Sequence, residues 1–239
     1  MKIIRTILLI SILLATNSIP ASDWPQYLGP DRNAVSGEKG LLRSWPKEGP
    51  KVLWTVPLGE GFGGPAISEG KVYVYDRVDD KENVLRCFDL ISGKEEWTFR
   101  NEAPGSVSYD GSRTVPAIDG NRIYVTDAFG NFLCIDKNTH TPLWKKNFWT
   151  DFSKADIPMW AIAQNPIIYH NMVIIASQTK EAGIVAYDKL NGDIIWKTPG
   201  LPGSAGYVSP SIVKIHNEDH LVMISATRPE TPGAGAVMG

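Results

Sequence analysis

The chain has 239 residues and a mass of 26.3 kDa, with 43% hydrophobic and 21% charged residues, which is the composition of a globular protein. Its 24 basic residues are balanced by 26 acidic ones, so it lacks the positive surface that nucleic-acid binding requires. Its 22 glycines, 17 prolines and 8 tryptophans predict many short strands joined by tight turns rather than long helices.

Residues 1–21 predict a secretory signal peptide. A charged start is followed by an apolar run over residues 7–15 and then by small and turn-forming residues, with cleavage expected after Ser18 or Ala21. The apolar run is short for a membrane span, so an uncleaved anchor is the weaker alternative. A lipoprotein is not predicted, because there is no cysteine near the cleavage site to carry the lipid. The cleaved protein is therefore predicted to be periplasmic or secreted, without an integral membrane span.

After an N-terminal extension over residues 22–53, the chain is organised by a repeat. Tryptophan recurs at positions 54, 97, 144 and 196, at spacings of 43, 47 and 52 residues. The last three tryptophans each follow an aspartate by eight residues, in DLISGKEEW, DKNTHTPLW and DKLNGDIIW. The shared pairs are Asp89 and Trp97, Asp136 and Trp144, and Asp188 and Trp196. Periods of this size indicate a repeat architecture.

Each unit predicts four antiparallel strands. Two alternating strands flank a polar turn, as in GPAISEGKVYV at 64–74, and a third apolar strand leads into the aspartate. Gly93 and Gly192 suit the positive φ of the hairpin that follows, and we expect the tryptophan on the fourth strand to cover the neighbouring unit. Such units predict an all-β fold, a β-propeller of four-stranded antiparallel blades, with a solenoid or sandwich as the alternative. No stretch has the periodicity of a coiled coil or an α/β protein.

The phrase D-x-x-[ST]-G-x-x-x-W resembles the tryptophan-docking repeat of PQQ-like (pyrrolo-quinoline quinone repeat) β-propellers, the superfamily of quinoprotein alcohol dehydrogenases and of the outer-membrane β-barrel assembly lipoprotein. The opening DWPQYLGPDRNAVSGEKGLLRSWPKEGPKVLW at 23–54, PMW at 158–160 and GYVSP at 206–210 resemble exported bacterial PQQ-like proteins that are often labelled polyvinyl-alcohol dehydrogenase. The phrase departs from the pattern at residues 139–140, where Thr-His replaces Thr-Gly. This departure bears on the shape of one turn.

The repeat count predicts an incomplete propeller over residues 54–239. Three full blades and about half of a fourth are present, about 3.5 blades, whereas members of the resembled family close with seven or eight. Leu53 and Trp54 are expected to form the outer strand that completes the final blade of a closed ring. We therefore expect this chain to be the N-terminal part of a longer protein. The alternative is a half-propeller that self-associates.

The resemblance implies PQQ with Ca²⁺ as a cofactor in the enzymes of the superfamily, which commonly carry two adjacent cysteines over the quinone. Cys87 and Cys134 are not adjacent, and each lies two residues before a repeat aspartate. They are predicted to be small buried residues without a disulfide, because equivalent points on neighbouring blades lie too far apart. No cofactor is predicted from the residues themselves.

The histidines and the known catalytic motifs do not indicate a metal site or an enzyme class. His216 and His220 flank an HNEDH turn that could face a cation with Glu218 or Asp219, but the segment aligns with ordinary turns of the other blades, so no metal is predicted. His140 is interpreted as a solvated turn residue. No GxSxG, HExxH or P-loop pattern supports a hydrolase or an NTPase, and the catalytic residues stay unknown.

The long loop between blades 2 and 3 holds the best candidates for ligand contacts. Trp149 and Trp160 could be exposed on the face of the propeller, although packing onto the blade tops is the favoured interpretation. Asp110, Arg113 and Tyr207 are weaker candidates in comparable loops. An aromatic floor with a nearby carboxylate suits a quinone or a sugar equally.

These observations predict a binding or scaffolding module of the cell envelope, whose partner is an envelope protein, a polymer or a small molecule. The alternative is a PQQ-dependent alcohol or polyvinyl-alcohol dehydrogenase with part of its catalytic residues beyond this chain. The repeat itself is a feature of the fold and does not choose between them.

Overall fold

The fold is almost entirely β. The computed structural model describes residues 22–152, 158, 160–203, 207–226 and 235–239, and the predicted signal peptide lies outside them. Within these residues the strands form four separate antiparallel sheets, accompanied by one short helix, α1 (Phe148–Asp151). No helix in the described ranges is long and apolar enough to cross a membrane.

Each sheet is one blade, with its strands hydrogen-bonded in chain order. Blade 1 comprises β1 (Ala66–Ser68), β2 (Lys71–Val78), β3 (Glu82–Asp89) and β4 (Glu95–Glu102). Blade 2 comprises β5 (Ala117–Asp119), β6 (Arg122–Thr126), β7 (Asn131–Asp136) and β8 (Pro142–Asn147). Blade 3 comprises β9 (Ile167–Tyr169), β10 (Met172–Ile175), β11 (Val185–Asp188) and β12 (Ile194–Lys197). Blade 4 comprises β13 (Ser211–Ile215), β14 (Glu218–Ile224) and β15 (Val237–Met238). The predicted incomplete propeller, with three full blades and a partial fourth, is confirmed.

A bulge recurs at one place in every full blade. The residue two before the repeat aspartate lies directly opposite the repeat tryptophan, and the strand register shifts immediately beside this pair. The pairs are Cys87 with Trp97, Cys134 with Trp144, and Ala186 with Trp196. A small side chain at this position leaves room for the indole, and the bulge turns the end of the strand towards its hairpin. Both cysteines are free buried thiols, as predicted.

The repeat tryptophans dock on the turn of the next blade. The Trp144 indole lies against Gly192, which has a φ of 74°, and its Nε1 donates to the carbonyl of Lys189 at 3.3 Å. Trp54 does the same on blade 1, where it lies against Gly93. Among the described residues, residues 51–59 pair with no strand, and the Trp54 indole docks from an irregular segment. The prediction that Leu53 and Trp54 form the outer strand of a final blade stays a prediction, because none of the four described blades is that blade.

In blade 2 the turn on which the repeat tryptophan docks has a histidine in place of the glycine. His140 stands where the pattern expects glycine and has a φ of 59°. Its ring stacks on Trp97 with the ring centroids 4.3 Å apart and the planes 17° from parallel. The interpretation of His140 as a solvated residue is therefore wrong: the imidazole replaces the bare glycine surface as the seat for the tryptophan.

The core consists of three seams between neighbouring blades. One cluster joins blades 1 and 2, a second joins blades 2 and 3 and includes α1, and a third joins blades 3 and 4. β1 contacts β5, and β5 contacts β9, so the first strands of the blades form the inner edge of the arc. The loops that lead into these inner strands therefore converge on one face of the arc, near its inner edge.

Candidate functional site

The N-terminal segment runs across the inner strands. Trp24 pairs with Ile67 of β1 through two backbone hydrogen bonds of 2.8 and 2.9 Å. The carbonyl of Pro25 accepts from the amide of Ile118 in β5 at 2.8 Å. We call residues 23–34 the N-terminal strap. Its first residues thus join the inner strands of blades 1 and 2.

Arg32 carries the strap to the other two blades. Its Nη1 donates to the carbonyl of Pro166, immediately before β9, and its Nη2 donates to the carbonyl of Pro210, immediately before β13, each at 3.2 Å. Burial lowers the pKa of Arg32 to about 10, so the guanidinium stays charged at neutral pH. The strap therefore contacts all four blades and places a partly buried cation at the inner edge.

The sequence of the strap fits this path. Gly29 has a φ of 81°, and a Cβ there would lie 2.8 Å from the Trp24 ring, so only glycine permits the indole to fold onto the turn. The amide of Arg32 donates to the carbonyl of Gly29 at 3.1 Å, which closes the turn. This geometry explains why the tryptophan, the glycine and the arginine occur together in the opening segment.

Beside the strap lies an open cleft. It consists of two adjoining cavities of about 430 and 440 Å³ that share Phe62, Arg113, Ala163 and Tyr207. The first cavity adds Tyr109 and Trp160. The second adds, among others, Tyr27, Leu28 and Arg32 of the strap and Asn165 and Ser209 of the loops before β9 and β13. Both volumes lie in the range of small-molecule sites, about 300 to 1,000 Å³.

Aromatic rings dominate the first cavity. Trp160 is 48% exposed, Phe62 66% and Tyr109 68%. The rings of Trp160 and Tyr207 lie 5.1 Å apart, and the Tyr207 hydroxyl accepts from the amide of Trp160 at 3.2 Å. Exposed aromatic side chains that gather in one concavity indicate a ligand contact, because they leave apolar surface in water.

Two of these rings stand on strained backbone. Tyr109 has a φ of 63° and Tyr207 a φ of 54°, and Ala161, next to Trp160, has a φ of 56°. The left-handed region costs a residue with a Cβ about 1–2 kcal/mol. Such strain concentrates at functional sites, where the surrounding structure holds a side chain in a required position.

Arg113 is a fixed cation in the middle of the cleft. Its Nη1 donates to the carbonyl of Gly111 at 2.7 Å, and its Nη2 donates to the carbonyls of Ser108 and Tyr109. The guanidinium carbon lies 5.9 Å from the centroid of the Phe62 ring. Burial lowers the pKa of Arg113 while the nearby Asp110 opposes that shift. The loop carbonyls therefore orient a charged group that is partly withdrawn from water.

A polar wall joins the blades behind the rings. Asn165, 5% exposed, accepts from the amide of Val115 through Oδ1 at 2.7 Å. The backbone amide and Nδ2 of Asn165 both donate to the hydroxyl of Ser209, at 2.8 and 3.1 Å. These bonds link blades 2, 3 and 4 at the cleft. They occupy both lone pairs of the Ser209 oxygen, and its hydroxyl proton has no acceptor among the described residues.

Three of the five loop candidates meet in this cleft: Arg113, Trp160 and Tyr207. Asp110 lies beside Arg113 but not in the lining. Trp149 is packed, as the favoured interpretation expects: it is 4% exposed in α1 and lies in the seam between blades 2 and 3, whereas Trp160 differs from that interpretation because it is 48% exposed. Residues 153–157 and 159 of the same loop lie outside the described residues.

Sequence reasoning missed Phe62, Tyr109 and Arg32. Phe62 and Tyr109 occur in loops without any motif, and Arg32 lies in the opening segment, where the sequence shows only a family resemblance. The predicted absence of a metal at His216 and His220 stays a prediction, although no group of three or more potential metal ligands occurs within the described ranges.

Two overlapping segments of the chain, residues 20–109 and 80–234, match the family model described as outer membrane protein assembly factor BamB. The chain belongs to this family of PQQ-like repeat propellers. Among proteins with curated descriptions, the propeller is similar to the quinoprotein alcohol dehydrogenase PedH of Pseudomonas putida, 25% identical over 60% of this chain and 24% of the relative. It is also similar to the 1-butanol dehydrogenase (cytochrome c) of Thauera butanivorans, 24% identical over 57% of this chain and 20% of the relative.

Among solved structures, the propeller is similar to the quinohemoprotein alcohol dehydrogenase of Comamonas testosteroni. The match has a TM-score of 0.54 and 20% identity and covers 76% of this chain and 28% of the other, which shows a shared fold. The chain thus spans about a quarter or less of the length of the curated relatives that it matches.

Proposed function

We propose that this PQQ-like propeller is a binding module of the cell envelope and that the cleft beside the N-terminal strap is its ligand site. The observation that carries the proposal is the convergence of exposed aromatic rings and two guanidiniums, from Arg32 and Arg113, in one concavity. The left-handed backbone at Tyr109 and Tyr207 is consistent with the proposal.

The proposed location follows from the export pattern of residues 1–21, which lies outside the described residues. A family description that names outer membrane protein assembly supports an envelope setting. Fusion of residues 1–40 to a reporter enzyme active only after export tests this part. We expect activity in the periplasm or medium, and cytoplasmic retention would contradict it.

A quinoprotein alcohol dehydrogenase is the second candidate, favoured by the two curated relatives and by the fold match. The two guanidiniums suit the carboxylates of PQQ. Ca²⁺, however, takes six to eight oxygen ligands with several carboxylates among them. The residues that line the described part of the cleft include no carboxylate, and the side-chain oxygen of Asn165 already accepts from the amide of Val115. The described residues therefore do not fit the quinone and Ca²⁺ pair, and we derive no catalytic step.

Titration of the intrinsic tryptophan fluorescence tests the proposal. Soluble oligosaccharides and PQQ with Ca²⁺ are added in turn to the wild type, to Trp160→Ala and to the control Trp45→Ala, which removes an exposed indole outside the cleft. We expect a ligand whose affinity falls about tenfold in Trp160→Ala and is unchanged in the control. Tight PQQ binding with alcohol-dependent dye reduction would establish the second candidate instead. Ligand binding that Trp160→Ala does not weaken would reject the cleft as the site.

A further inference from the structure

We infer that the ligand of the cleft is an acidic saccharide, whose sugar ring stacks on the exposed aromatic rings while its carboxylate binds Arg113. This inference rests on the proposed function and names the ligand class of the same site.

The charge of the cleft calls for an anion. Neither Arg32 nor Arg113 has a carboxylate within ion-pairing distance in the described part of the chain. Arg113 has five N–H donors and gives three to loop carbonyls, which leaves Nε and one Nη1 hydrogen for a ligand. In Arg32, Nε is buried and has no partner in the same described ranges. A neutral ligand would leave Arg32 without an ion-pairing partner among the described residues and Arg113 with only the more distant charge of Asp110.

The aromatic surface favours a sugar over a ligand that must be enclosed. Trp160, Tyr109 and Phe62 each expose about half or more of their surface, so a ligand would lie on them rather than between them. A pyranose ring presents C–H groups on its face and hydroxyls at its edge, which suits an open platform with polar groups at its margin. An open cleft also allows a chain of sugars to continue beyond it.

The margin of the cleft supplies the polar groups. Ser209 accepts two hydrogen bonds from Asn165, so its hydroxyl proton is free to donate to a sugar oxygen. Ser211 lines the same cavity. The guanidinium of Arg113 lines the same cavity, so the cavity offers groups for the hydroxyls of a sugar ring and a cation for its carboxylate.

The experiment compares three soluble oligomers of equal length: a galacturonate oligomer, a neutral glucose oligomer and a glutamate oligomer. Binding is measured calorimetrically on the wild type, Trp160→Ala, Arg113→Gln and the control Arg100→Gln, which removes an exposed cation outside the cleft. We expect the wild type to bind the uronate about tenfold more tightly than the neutral sugar. Trp160→Ala should weaken uronate binding by about tenfold, Arg113→Gln should abolish the preference, and Arg100→Gln should change neither.

Other results would overturn the inference. Equal affinity for uronate and glucose oligomers would show that the guanidiniums do not select the ligand. Equal affinity for uronate and glutamate oligomers would show that the sugar ring does not matter. Cleft-dependent binding of PQQ without binding of any saccharide would refute this inference and leave the cleft as a ligand site, whereas no cleft-dependent binding at all would refute both. If Arg113→Gln does not fold, Trp160→Ala together with loss of the uronate preference at high salt gives the same decision.

Discussion

The turn on which Trp54 docks gives a sharp test of the repeat. Gly93 has a φ of 69°, and a Cβ built there would lie 2.5 Å from Cδ2 and 2.6 Å from Cγ of Trp54. Gly93→Ala therefore adds the cost of a left-handed alanine, about 1 kcal/mol, to the cost of an overfilled contact, about 1–3 kcal/mol. We expect the free energy of unfolding, measured in urea, to fall by about 2–4 kcal/mol.

Gly70 is the matched control within the same blade. It has a φ of 73°, and a Cβ there would meet nothing within 4 Å. Gly70→Ala should thus cost only about 1 kcal/mol. In the background of Trp54→Ala, the loss caused by Gly93→Ala should shrink to the same value, because the ring that it strikes is gone. Equal losses for Gly70→Ala and Gly93→Ala in the wild-type background would refute the reasoning.

Three further predictions concern the turns and the strands. Hydrogen bonds within its turn lower the pKa of Asp89 from 3.8 to about 2. Its contribution to stability is therefore present above pH 3.8 and is lost as the pH falls towards 2. Asp89→Asn should flatten that part of the pH profile of the urea midpoint, and an unchanged profile would contradict this prediction. Burial raises the pKa of Cys87 to about 11 and of Cys134 to about 12. A thiol reagent at pH 8 should therefore label neither cysteine until denaturant is added. Labelling of the native protein would show instead that the strands open. His140→Gly loses the stacking on Trp97 but relieves a positive φ, so it should change the unfolding free energy by less than about 1 kcal/mol. His140→Ala loses the stacking without relieving the φ and should be destabilising by about 1 kcal/mol. Equal effects of the two substitutions would refute this account.

The blades were predictable because their determinants are local. The eight-residue interval from Asp89 to Trp97 spans one hairpin, and β2 and β3 are rich in apolar residues because most of their length is buried. The bulge beside Cys87 was less visible, because β3 ends two residues later and too few residues follow to show the change of phase in the hydrophobic pattern. The imidazole stacked on Trp97 was missed because a turn position gives no sign of what packs above it.

The cleft was only partly predictable, because it depends on contacts between residues far apart in the chain. Trp160 and Tyr207 were candidates for ligand contacts because they are aromatic residues in loops, but no local feature of the sequence indicates that they meet Phe62. Arg32 is the clearest case. Its role depends on two carbonyls in later blades, and no property of residues 23–34 predicts which blades they reach.

The strap also sets an order for folding. Arg32 is synthesised early, yet the carbonyls that it binds belong to residues 134 and 178 positions later. Closing loops of this length is slow and entropically costly, whereas each blade can form from neighbouring residues. Arg32 must therefore remain undocked until the segments before β9 and β13 have been made, although Trp24 and Pro25 can pair with blades 1 and 2 before then. A fluorescent label beside Arg32 would report the docking of blades 3 and 4 rather than the start of folding.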